Sequence, residues 1–232
     1  MTDSKRPTKL QKSTAHARVA GAPHLPSVGR CGAPLPPAFY SRDPRQVARE
    51  ILGKLLVRRE GKQVRSGRIV EVEAYLGLDD PAAHAYRGPT KRNAVLFGPP
   101  GRAYVYFIYG FHYCLNVSCD GQGGGVLIRA LEPVAGIDQM YAARDLQPTD
   151  RRATELRLLT SGPGRLAEAF SITRDRDNND NVTSRQSDLQ IVDDGWKPKK
   201  IATTVRIGIT KAAEQPLRYV IAGNPFVSGK RS

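Results

Sequence analysis

The spacing of apolar positions changes period several times along the chain, and each change predicts an element. Val47, Ala48, Ile51 and Leu52 recur at helical spacing behind Asp43-Pro44, where a capping carboxylate precedes a proline suited to the first helical position. Gly53 then offers a stop. From Leu55 to Arg59 the pattern becomes that of a strand, which turns near Glu60-Gly61 into a second run through Arg68-Ile69-Val70. That run continues as Val70-Glu71-Val72-Glu73-Ala74-Tyr75-Leu76-Gly77 and sets two carboxylates among apolar neighbours. Gly88-Pro89 and Gly98-Pro99-Pro100-Gly101 isolate a loop over residues 76–101, whose end delivers a strand at 104–109. Tyr109-Gly110-Phe111 turns tightly into a strand at 112–118, residues 121–125 turn again, and residues 126–131 return. A meander of this kind predicts an antiparallel sheet. Helices are expected from Ile137 to about Asp145 and from Pro163 to about Phe170, a mobile surface loop over 173–187, and closing strands at 189–192, 203–209 and 217–221 before a polar tail after Val227. The expected class is α+β: a single domain with a curved antiparallel sheet surrounded by helices.

Composition narrows the partner. Of 232 residues 40% are hydrophobic, enough for a real core in one domain, and 36 Lys and Arg stand against 22 Asp and Glu, a formal net charge of +14. Such an excess favours an anionic partner, nucleic acid first. A membrane is not expected, because no apolar run approaches the roughly 20 residues of a spanning helix and no basic amphipathic helix is evident. Residues 1–37 carry Lys5, Arg6, Lys9, Lys12, Arg18 and Arg30 against Asp3 alone, with six of the 17 prolines. They read as a disordered basic tail ahead of a domain at 38–228, open to readings as a solvated tail, a loose DNA tether or an organelle transit peptide. Cys31, Cys114 and Cys119 cannot all pair within one chain and read as free thiols of a reducing compartment. His16, His24, His84 and His112 are scattered, without zinc-like spacing, so neither metal nor cofactor is expected and chelators should leave the protein unaffected.

The candidate chemistry centres on Glu73. It shares a strand face with Glu71 and, taken alone, fits either a solvent-facing acid or a general base acting on water beside Tyr75. Tyr104 and Tyr113 fit the core, whereas Tyr106, Tyr75 and His84 fit a sandwich around an extruded base. Tyr109, beside Gly110 at a turn, fits a wedge into stacked bases. Arg129 alone suggests a strand-end arginine paired to an acid, and Asn116 alone a strand Asn bonded to backbone. Lys91, Arg92 and Arg102 flank the aromatic run and suit phosphates.

Glu73-Ala74-Tyr75-Leu76-Gly77, Ala82-Ala83-His84, Tyr104-Val105-Tyr106, Tyr109-Gly110, Cys114-Leu115-Asn116-Val117, Val126-Leu127-Ile128-Arg129-Ala130-Leu131-Glu132-Pro133 and Leu159-Thr160-Ser161-Gly162-Pro163-Gly164 resemble, in order and spacing, the alkyladenine (3-methyladenine or methylpurine) DNA glycosylases, of bacterial type. The resemblance runs from about Phe39 to Val227. It implies a monomeric, monofunctional base-excision-repair enzyme that flips an alkylated or deaminated purine (3-methyladenine, 7-methylguanine, hypoxanthine or ethenoadenine) out of double-stranded DNA and hydrolyses its N-glycosidic bond. It implies that Glu73 holds and deprotonates the water, Arg129 helps position it, and the main-chain carbonyl of Ile207 completes the cradle. Tyr75, His84 and Tyr106 would enclose the base, Asn116 would crowd the amino group of guanine, and Tyr109 would fill the vacated stack. Leu96 stands where a Met is common in the loop that meets the opposite strand, and His112 where animal members carry Tyr. The implied fold resembles the C-terminal domain of methionyl-tRNA formyltransferase, so fold alone leaves a non-catalytic nucleic-acid binder as the rival. The implied location is cytoplasmic and nucleoid-associated, or nuclear or organellar in a eukaryote.

Overall fold

Asp43 caps the first regular helix as its sequence demands, its carboxylate accepting the N–H of Arg45 at 2.7 Å. The computed structural model describes residues 32–108, 110, 112–148 and 153–229. A short helix α1 (Pro37–Tyr40) leads to α2 (Pro44–Ile51), and Gly53 takes a left-handed φ of 87° just past the end. Strands β1 (Leu55–Glu60) and β2 (Gln63–Leu76) form a hairpin, β3 (Ala103–Ile108), β4 (His112–Cys119) and β5 (Gly124–Ala135) a meander. Helices α3 (Ile137–Ala143), α4 (Ala153–Thr160), α5 (Pro163–Ala169) and α6 (Arg174–Asp177) precede β6 (Leu189–Val192), β7 (Ile201–Thr204) and β8 (Arg218–Ile221).

The eight strands make one antiparallel sheet in the order β3-β4-β5-β2-β1-β6, with β8 also paired to β2 and β7 to β8. The long β2 is its spine: residues 63–68 pair with β1, 71–73 with β8, and 66–76 with β5. Such a branched sheet curls, and the described residues form a single α+β domain. Val47, Ala48 and Ile51 of α2, Ile69 and Val72 of β2, and Leu166 and Phe170 at α5 are fully buried in one core cluster. Burial of each large apolar side chain contributes roughly 1.5–3 kcal/mol.

Four expectations change. Residues 173–187 are not a mobile loop: they contain α6, and Asp177, fully buried, meets Arg58 at 2.6 Å while the Asn178 side chain accepts the N–H of Val105. The strand expected at 203–209 is β7, which ends at Thr204; Arg206 then turns inward to a buried carboxylate, and Gly208 takes a φ of 78°. Helix α4 was not expected, because its apolar spacing is short and it abuts the start of α5. Ordered structure begins within the stretch expected to be a disordered tail, since Pro34 bridges Val192 and Leu35 is a core residue. Residues 1–31, expected as tail and including Cys31, and also Tyr109 and Phe111, lie outside the described residues. Cys114 and Cys119 are free and buried, and no helix among the described residues is long and apolar enough to cross a membrane.

Candidate active site

Two irregularities in the β2–β5 ladder build the site. Ile69 faces Leu131 and Glu71 faces Ala130, so Val70 is an extra residue on β2; Val72 faces Ile128, so Arg129 is an extra residue on β5. Bulges of this kind re-aim side chains near functional sites. Here Arg129 reaches both carboxylates of β2, Nε lying 2.9 Å from Glu71 and Nη1 3.2 Å from Glu73. The turn before α5 supports the bulge from behind, the N–H of Gly162 donating to the Arg129 carbonyl at 3.0 Å.

Glu73 is fully buried. Its Oε2 accepts the hydroxyl of Tyr75 at 2.9 Å, and its Oε1 accepts the N–H of Ile207 at 2.8 Å. A buried carboxylate is costly unless paired and hydrogen-bonded, and these contacts with Arg129 meet that requirement. Ile207 thus meets Glu73 through its amide, whereas the resemblance implies a role for its carbonyl. Burial, reinforced by the neighbouring Glu73, pushes the Tyr75 hydroxyl far above the usual tyrosine range, so it stays a proton donor at neutral pH.

In front of these groups opens a cavity of about 460 Å³, within the size range of small-molecule sites, lined by Tyr75, His84, Tyr106, Asn116, Arg129 and Ile207 among others. Residues from six separate stretches of the chain therefore meet at one place. His84 stands edge-on to Tyr106 with ring centroids 4.5 Å apart, and its Nδ1 lies 3.0 Å from the Tyr104 hydroxyl. Its outer side is open, but loss of water against the tyrosines and then the charge of Arg92 hold its pKa below the usual 6.5, which leaves a neutral imidazole at neutral pH. Burial likewise raises Tyr106, with Cys114 beside it. Asn116 is buried and donates a long 3.4 Å bond to the carbonyl of Tyr104. Such walls can hold a flat ring, and Arg129 brings charge to its edge with Glu73 paired to it from behind the lining.

The outlying candidates are dispersed. Lys91 and Arg92 are exposed; Arg92 joins Arg87 and Lys211 around a second cavity of about 330 Å³ that shares Ala83 and His84 with the first. Arg102 is half-buried and donates to the carbonyl of Asn179. Leu96, expected in a loop facing the opposite strand, is instead 5% exposed, packed with Ala85 and Tyr104 at the cavity wall, because the short helical turn Ala94–Phe97 folds inward. Among the described residues no group of three or more His, Cys, Asp or Glu is arranged to hold a metal.

Residue-by-residue reading missed the buried partners of the site. Asp80 and Arg206 are both buried and joined through Nη1 and Nη2 of the guanidinium, and Arg206 Nη1 also donates to the carbonyl of Ala74 at 3.1 Å. Its guanidinium stacks 4.7 Å over the Tyr75 ring. Glu71, the second acid of the motif, binds Arg218 at 2.8 Å as well as Arg129. Glu71 and Arg218 were signalled by standing as ionisable residues in otherwise apolar strands, whereas Asp80 and Arg206, outside the strands, carried no such signal.

Residues 38–225 match the family model described as Methylpurine-DNA glycosylase (MPG). Relatives named "Putative 3-methyladenine DNA glycosylase" include three from different genera. That of Koribacter versatilis is 64% identical over 201 residues, covering 86% of this chain and 95% of the relative. That of Burkholderia lata is 49% identical, with 85% and 92% covered, and that of Methanoculleus marisnigri 50% identical, with 84% and 98% covered.

Proposed function

The chain belongs to the methylpurine-DNA glycosylase family and is a DNA glycosylase, a hydrolase of N-glycosyl bonds; from this we propose that it excises alkylated or deaminated purines, 3-methyladenine among them, after flipping them from the duplex. The observation that carries the reading is the buried Glu73, held by Tyr75, Ile207 and Arg129, three residues that line an aromatic cavity.

In this reading the damaged base lies among Tyr75, His84 and Tyr106, and a water sits between Glu73 and the sugar. Glu73 takes a proton from the water, the water oxygen bonds to the anomeric carbon, and the bonding pair of the N-glycosidic bond leaves with the base. The oxocarbenium-like sugar is stabilised by the same carboxylate, so one group serves as base and counter-charge. Arg129 fixes the position of the carboxylate and of the water. A cationic 3-methylated or 7-methylated purine departs neutral and gains cation–π attraction from the tyrosine faces; a deaminated or etheno base, neutral before cleavage, must also gain a proton as it leaves. Lys91, Arg92 and Arg102 are proposed phosphate contacts, and Tyr109 the wedge that fills the gap.

Single-turnover base release from duplexes carrying hypoxanthine, ethenoadenine or a methylated purine tests the function. Release of free base without strand cleavage is expected; DNA binding with no release from any duplex would leave a binding module. Asn116→Ala should raise the release of normal guanine relative to hypoxanthine, which lacks the 2-amino group, by roughly 10- to 100-fold, because removing a clash in a pocket is worth about 1–3 kcal/mol. An unchanged ratio would remove the gate. Tyr109→Ser should weaken flipping, read by 2-aminopurine fluorescence beside the lesion, more than it weakens binding to undamaged duplex. Equal losses would end the wedge assignment.

A further inference from the structure

Ser228 follows the segment that matches the family model, which ends at residue 225, and it reads in sequence as the start of a polar tail. In the fold it closes on the buried Glu71. The Ser228 N–H donates to Glu71 Oε2 at 2.6 Å, and its hydroxyl donates to Oε1 at 2.8 Å. The same Oε1 accepts Nε of Arg218 at 2.8 Å and Nε of Arg129 at 2.9 Å. The strap is itself tied down: Arg157 Nη2 donates to the carbonyls of Val227 and Gly229, both at 2.8 Å, and Arg218 Nη2 donates to the carbonyl of Ser228 at 3.3 Å. Glu71 therefore holds the strap through both of its oxygens and two guanidiniums through Oε1.

We infer that the segment 227–229 is a positioning element for Arg129, acting through Glu71, and that Ser228 is its key residue. This rests on the reading of Glu73 and Arg129 as the reacting pair. Arg129 sits on a bulge, where the ladder does not fix its direction. Its Nε is held by Glu71 while its Nη1 approaches Glu73, so the orientation of Glu71 sets how the guanidinium meets the carboxylate that works on water. Without Ser228, Glu71 Oε2 loses its backbone donor and the side chain can rotate, which carries Arg129 with it. The charges explain why a neutral strap suits the place. Glu71 and Glu73 already balance Arg129 and Arg218, so two neutral donors fix the carboxylate without disturbing that balance.

The test compares the full chain with a chain ending at Val227 and with Ser228→Ala, measuring the single-turnover rate constant for release of hypoxanthine or a methylated purine, the Kd for the same duplex, and thermal unfolding. The truncated chain should release base roughly 10- to 100-fold more slowly, the loss that small misplacements of reacting groups produce, with Kd nearly unchanged. Ser228→Ala, which keeps the N–H, should lose less. In an Arg129→Ala background the truncation should cost nothing further in rate. A native rate after truncation, or an equal loss with and without Arg129, would overturn the inference. Should the truncated chain unfold, Ser228→Ala against the Arg129→Ala background decides by the same comparison. A full-length protein that releases no base overturns the glycosylase reading itself, whereas release that is indifferent to the strap overturns the strap alone.

Discussion

Glu73→Gln is expected to lower single-turnover base release by roughly 10²- to 10⁴-fold, the contribution of a positioned general base, while lesion-duplex affinity and thermal stability stay close to native. The neighbours explain the separation. Glutamine keeps one oxygen to accept the Ile207 N–H and Arg129, and its amide replaces the oxygen that now accepts the Tyr75 hydroxyl, which rotates to become the acceptor. Arg129 keeps the charge of Glu71. Packing is preserved; what disappears is the capacity to take a proton and to face a cationic sugar with negative charge. Undiminished release by the variant would remove Glu73 from the mechanism. Loss of binding in parallel with release would instead identify it as part of the pocket wall.

Asp80→Asn should destabilise the protein by about 3–5 kcal/mol, because it leaves the Arg206 guanidinium buried without its counter-charge. The pair lies fully inside, Asp80 also accepting the N–H groups of Leu76 and Ala82, and no solvent is at hand to take over. Against total stabilities of about 5–15 kcal/mol such a loss is large. Denaturant unfolding measures it, and a loss below about 1 kcal/mol would refute the assignment. Replacing both partners with apolar residues should cost less than removing one. The pH dependence follows in sign. Burial opposes ionisation of Asp80, but the bonds to Arg206 and to backbone outweigh it and hold its pKa below the ordinary 3.8. Its contribution is therefore complete above that value and is lost as pH falls from about 4 through the lower folded-state value. Native protein should lose stability across that window, and Asp80→Asn should lose less of it.

Much of the backbone was legible because its causes are local. The cap at Asp43-Pro44, the glycines between β3, β4 and β5, and the start of α5 at Gly162-Pro163 act within a few residues and appear where the pattern puts them. Helix α6 and the early end of β7 were not legible, since each answers to a distant partner: Arg58 for Asp177, and Asp80 for Arg206. The carboxylate and rings of the site were recognisable through their order and spacing. Their mutual geometry was not, because the bulge that aims Arg129 exists only in the pairing of β2 with β5.

Residue order alone was enough to establish a basic chain with a meandering antiparallel sheet, a carboxylate in an apolar strand and aromatic residues nearby, since periodicity, turn chemistry and charge are properties of short segments. Only the tertiary structure decided which ionisable groups meet. Asp80 and Arg206 lie 126 residues apart, and Glu71 and Ser228 lie 157 apart. Contacts at such separations are chosen by the cost of burying charge, and a buried ion accepts whichever partner the folded chain delivers to it.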